Sequence, residues 1–177
     1  MTLPFLFLLA CSGPGTDTSG PADTSAAGSG TVSGSFDGRA FETVGASWRI
    51  GEPDDPDQTM VVYVFDNPIS CADIADAGWD TRITDQTQAI EIKVVGTTTG
   101  DYPLAAGRTP GPGESDVNYT LSSTSGTPGE TSADSGDVAI DSADAGAATG
   151  SFDLTFPSGD TLAGTFNASA CAQGNEP

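Results

Sequence analysis

From residue 30 to residue 171, apolar and polar positions alternate in short stretches with a period of two. In GSFDLTF (150–156), Phe152, Leu154 and Phe156 alternate with Asp153 and Thr155. AIEIKVV (89–95) sets Ile90, Ile92 and Val94 against Glu91 and Lys93, and VNYTL (117–121) carries Val117, Tyr119 and Leu121 in step. Successive side chains of an extended chain point to opposite faces, so each stretch reads as a half-buried strand. TVSGSF (31–36), TVGASWRI (43–50), DVAI (137–140) and TLAGTFNASA (161–170) read the same way. In TVGASWRI, Val44, Ala46, Trp48 and Ile50 share one face, with Thr43, Ser47 and Arg49 on the other. TMVVYVF (59–65) is apolar on both faces and predicts a central strand covered on two sides.

Turn signals separate these stretches: EPDDPD, TTTGDYP, RTPGPGE, SGTPGE and PSGD. The spacing predicts an all-β domain over residues 30–177, an antiparallel β-sandwich or flattened barrel of about eight or nine strands. One segment departs from it. SCADIADAG (70–78), with Ser70 as N-cap and Gly78 as C-cap, predicts a short helix. A Gly-x-Phe unit also recurs, as GSFD at 34–37 and 150–153 and GTFN at 164–167. Glycine inside a strand marks a bulge or a close approach. A Phe on a neighbouring strand lying over the bare Gly accounts for the echo as packing.

The chain start has a different pattern. An apolar run over residues 3–10 ends in LLAC, and a tract of Gly, Ser, Thr, Ala, Pro and Asp follows. A bilayer span needs about 20 apolar residues, so this run is signal-peptide length. Leu8, Ala10 and Cys11 match the lipobox of bacterial lipoproteins, although Leu9 is bulky for its place and no Lys or Arg precedes the run. The expected organisation is a signal peptide over 1–10, lipid on Cys11, a flexible tether over 11–29 and the β-domain beyond. Ser12 stands where an Asp would signal inner-membrane retention in many Gram-negative lipoproteins, and by that resemblance the expected location is the outer membrane or cell surface.

Charge narrows the partners. The net charge is −20, from 25 acidic and 5 basic residues, and Lys93 is the one lysine. Such a surface repels nucleic acid and anionic headgroups, so the expected membrane link is the lipid anchor alone. With Cys11 lipidated, Cys71 and Cys171 remain, and two leftover cysteines in an exported chain are expected to pair.

Candidate chemistry is sparse. No histidine occurs, which removes Ser-His-Asp and Cys-His catalysis and His-ligated zinc. The chain reads as a non-catalytic protein with a structural or binding role and no cofactor. The alternative is a calcium-dependent module for a glycan or a surface protein partner. In that reading the acidic turn EPDDPDQT supplies Glu52, Asp54, Asp55 and Asp57 as oxygen ligands, and Trp79 stacks on the ligand.

GSFDLTFPSGDTLAGTFNASAC, FDNPISCADI and GDYPL together resemble a group of uncharacterised lipoproteins typical of myxobacteria and related predatory or marine bacteria. Asp66, Pro68, Cys71 and Cys171 occupy the matching positions. The resemblance covers most of residues 30–172 and implies the sandwich and the disulfide. It brings no catalytic residue.

Overall fold

The computed structural model describes residues 28–43, 45–51, 59–74, 84–123 and 129–171. Among these residues there are eleven strands and no helix. In chain order they are β1 (Ser29–Phe36), β2 (Arg39–Ala40), β3 (Gly45–Ile50), β4 (Thr59–Phe65), β5 (Gln88–Val95) and β6 (Gly100–Pro103). The rest are β7 (Ser115–Leu121), β8 (Gly129–Ser132), β9 (Ser135–Ala143), β10 (Ala147–Thr155) and β11 (Thr161–Ala170). The all-β class is as expected, and every alternating stretch named above contributes a strand. The count is eleven where eight or nine are expected, because β2, β6 and β8 are short strands without an alternating apolar pattern.

One sheet holds the strands in the order β6-β9-β10-β11-β3-β4-β5-β7-β8, with β1 paired to β11 and β2. It is mixed rather than antiparallel throughout. β11 runs parallel to β3 over Ser169↔Ser47 and Ala170↔Trp48. A parallel bridge between Leu104 and Ser115 brings the end of β6 beside the start of β7, so the sheet curls into a half-barrel. Its concave face is the main core, where Val62, Ile92, Leu154 and Leu162 are fully buried. Phe36 stacks on Tyr119 at 4.0 Å between centroids and meets Phe156 edge-on at 5.0 Å, joining β1, β7 and the end of β10 across the interior.

The β11–β3 contact is a seam. β10 and β11 pair continuously from Ala147↔Ser169 to Thr155↔Thr161, whereas β11 and β3 share only the two residue pairs above. Three further backbone hydrogen bonds reach β3 there: Gly28, just ahead of β1, donates to the Ala46 carbonyl at 2.9 Å and accepts from Ala46 N–H at 3.3 Å, and Cys171 N–H donates to the Trp48 carbonyl at 2.8 Å. A Cβ on Gly28 would lie 2.0 Å from the Asn167 carbonyl oxygen, so this position accepts only glycine.

Cys71 and Cys171 form the expected disulfide, with Cα atoms 5.4 Å apart. It joins the turn after β4 to the end of β11, and so staples the seam. Cys171 also packs on a second apolar cluster on the convex side of β4, made by Val61, Tyr63, Phe65, Ile74 and Ala89. This cluster explains why TMVVYVF is apolar on both faces. It also explains why Ser47, expected on a polar face, is buried.

Where the helix is expected, Cys71–Ile74 is a turn. The Asp73 carboxylate accepts from Ser70 N–H at 2.9 Å and from Ser70 Oγ at 2.7 Å, which closes this turn in the manner of a cap. The remainder of the expected helix, 75–78, lies outside the described residues. Trp48 is buried as expected, but Ile50 is 41% exposed because β3 ends there. Asp66 accepts from Gln88 through both backbone N–H and Nε2, while Tyr119 Oη donates to Gln88 Oε1 at 2.9 Å. Burial pushes the Tyr119 hydroxyl up to about 12, so it stays a donor.

Candidate functional site

The sequence-predicted site residues fall into two groups. Cys71 and Cys171 are brought together as a bridge. Cys11, the acidic turn residues Glu52, Asp54, Asp55 and Asp57, and Trp79 lie outside the described residues. Among the described residues, no group of three or more acidic or cysteine side chains gathers as a metal site would require.

A groove of about 740 Å³ opens on the convex side of the sheet, over β4, β5, β7 and β8. That volume is the size of a small-molecule site. The period of two places Glu91, Lys93 and Val95 on the convex face of β5, and Lys93 stands directly opposite Asp116 of β7. Lys93 and Glu91 point together to this outer face. Lys93 Nζ is 3.1 Å from Glu91 Oε1, and the two side chains are only 40% and 14% exposed. Thr59 and Ser132 also line the groove. Ser132 Oγ donates to the buried Asn118 Oδ1 at 2.7 Å, which commits the hydroxyl's one proton.

The wall is the 107–110 turn. Its Gly and Pro residues suit a tight path, and its shape is held from behind. Arg108 forms a two-pronged ion pair with Glu114, whose carboxylate also accepts from Gly111 N–H at 2.9 Å. Gly113 N–H donates to the Val95 carbonyl and Val95 N–H to the Glu114 carbonyl, which locks the turn to β5.

Electrostatics make these groups donors and acceptors rather than reactants. Partial burial pulls the Lys93 ammonium down, but Glu91 and then Asp116 outweigh it and hold the pKa above its ordinary value. Lys93 is therefore a proton-bearing donor, not a free amine nucleophile. The Arg108 hydrogen bonds, followed by the Gly111 N–H, hold the Glu114 carboxyl down to about 2. A carboxyl held low favours the folded turn above its ordinary range, and that contribution fades as pH falls from about 4.5 to about 2. In a carbon-detected NMR titration, Glu114 is expected to show a midpoint near 2. In Arg108→Gln the midpoint should rise towards 4.5 but stop short of it, because Gly111 still donates. An unchanged midpoint in that variant would refute the assignment.

Two of the chain's five basic residues, Lys93 and Arg108, line this one groove. Their scarcity is the signal in the sequence that marks them, but their meeting depends on how the 107–110 turn folds over β5. No protein family, curated protein or solved structure matches the chain.

Proposed function

We propose that this chain is a non-catalytic lipoprotein with a binding role, exported and held at the outer membrane or cell surface by lipid on Cys11. Residues 1–10 act as its signal peptide and the stretch from Cys11 to the start of β1 as its tether. The observation that carries the reading is the Cys71–Cys171 bridge, because such bonds persist in oxidising, exported compartments. The lipobox and the acid-rich, lysine-poor composition support it from the sequence side. The resemblance to myxobacterial lipoproteins points the same way, and the convex groove supplies a place for a ligand. Lipid anchoring on one cysteine adds the membrane affinity of its acyl chains without any apolar span.

The test is metabolic labelling with an alkyne fatty acid in a bacterial host. Wild-type protein is expected to take up label and sediment with membranes, and Cys11→Ala to lose both properties. Unlabelled wild-type protein in the soluble fraction would overturn the reading.

A further inference from the structure

Granting the binding role proposed above, we infer that the convex groove is a site for a neutral, hydroxyl-rich ligand, such as a segment of an uncharged polysaccharide. Both cations of the groove are already matched in place. Glu91 holds Lys93 at 3.1 Å, and both Glu114 oxygens hold Arg108. An incoming anion would compete with those resident carboxylates and would also enter the field of a chain of net charge −20. An incoming cation would find one lining carboxylate outside these pairs, Asp116, and that one stands beside the Lys93 ammonium. A neutral ligand meets neither obstacle.

What the groove does offer is closely spaced donors and acceptors. An ammonium carries three N–H donors and a guanidinium five, more than their resident partners use. Asp116 sits beside Lys93 as an acceptor across the β5–β7 pair. Ser132, with its proton committed to Asn118, is a second acceptor. Hydroxyls on adjacent ring carbons each donate and accept, so they complete this alternation without importing charge. Pro110, half-buried in the wall, adds apolar surface to the lining, suited to the C–H face of a sugar ring.

The experiment uses the full lipidated chain in detergent micelles, followed by amide NMR and calorimetry. The probes are cellohexaose, laminarihexaose and chitohexaose, with hexagalacturonate as the acidic counterpart. At least one neutral hexaose is expected to shift the amides of Lys93, Thr109, Asp116 and Ser132 saturably. Asp116→Ala should weaken that binding about tenfold or more, the scale of one hydrogen bond to a charged group. Its melting temperature serves as the control for folding. Tighter binding of hexagalacturonate, or an unchanged affinity in a folded Asp116→Ala protein, would overturn the inference. Failure of every hexaose would overturn it too, while the labelling assay decides the anchored-lipoprotein reading independently. Saturable shifts confined to another surface would remove the groove but leave the binding role standing.

Discussion

Replacing both bridge cysteines, as Cys71→Ser with Cys171→Ser, is expected to lower the stability of the folded domain by about 4–5 kcal/mol. The size comes from the 100-residue separation between them, since a cross-link of that span removes much of the freedom of the unfolded chain. Net stabilities of domains are only about 5–15 kcal/mol, so this is a large fraction of the whole. For a domain of this size the melting temperature should fall by roughly 10–20 °C. The folded state suffers as well, because the bridge crosses the shallowest part of the sheet. β11 and β3 share two residue pairs there, and Cys171 covers the convex cluster around Tyr63 and Phe65. Urea unfolding followed by tryptophan fluorescence, with and without reductant, measures both effects. Coincident transitions would show that the seam holds without its staple.

How much of this was legible beforehand depended on where side chains, rather than backbone, determine the structure. β10 and β11 each bury one face of a long strand, so the alternation of Phe152 and Leu154, and of Leu162 and Phe166, appears directly in the sequence. β6 is Gly-Asp-Tyr-Pro, with Tyr102 as its one buried side chain, and its Gly and Pro read as a turn. β8, Gly-Glu-Thr-Ser, has no apolar residue at all. Such strands exist because a neighbour offers unpaired backbone groups, and short edge strands rich in Gly, Pro and charge are how sheets end safely. The parallel β11–β3 contact was illegible for a related reason. It follows from how the sheet curls, which no local pattern encodes.

The candidate site was less legible than the fold. The pairing of Cys71 with Cys171 followed from counting thiols, but the groove did not follow from counting charges. Glu91 and Lys93 alternate with Ile90 and Ile92, and that pattern alone assigns them to solvent. What makes them a floor is the wall at 107–110, placed by Arg108 and Glu114, which lie far from β5 in the chain. Asp116 meets Lys93 only through the β5–β7 register. Chemistry assembled from three separated segments leaves no motif behind.

The Gly-x-Phe echo, by contrast, was legible as packing, and it supports the other large prediction. The register sets Gly150 opposite Phe166 and Gly164 opposite Phe152 on β10 and β11, so each Phe lies over the other strand's glycine. A Cβ on Gly150 would lie 2.6 Å from Phe166 Cζ, and one on Gly164 would lie 3.0 Å from Phe152 Cζ. The third copy differs: Gly34 meets the Thr161 carbonyl and Leu162, and its φ of +111° itself favours glycine. Phe166→Ala should cost about 3–5 kcal/mol, since the ring is buried and the glycine beneath cannot fill the gap. Phe166→Leu should cost clearly less. Gly150→Ala is the sharper case, because two obstacles stand in its way. The Phe166 ring tip can swing aside, but the Ala139 carbonyl, 2.1 Å from the new Cβ, is backbone held in the β9–β10 ladder. Forcing a methyl group into such a site costs typically 1–3 kcal/mol. If the carbonyl dominates, Gly150→Ala destabilises by the same amount whether residue 166 is Phe or Ala. If the ring dominates, Phe166→Ala relieves the clash, and the cycle shows a coupling of more than about 0.5 kcal/mol. The 2.1 Å approach predicts the first result, and denaturation of the four proteins distinguishes the two.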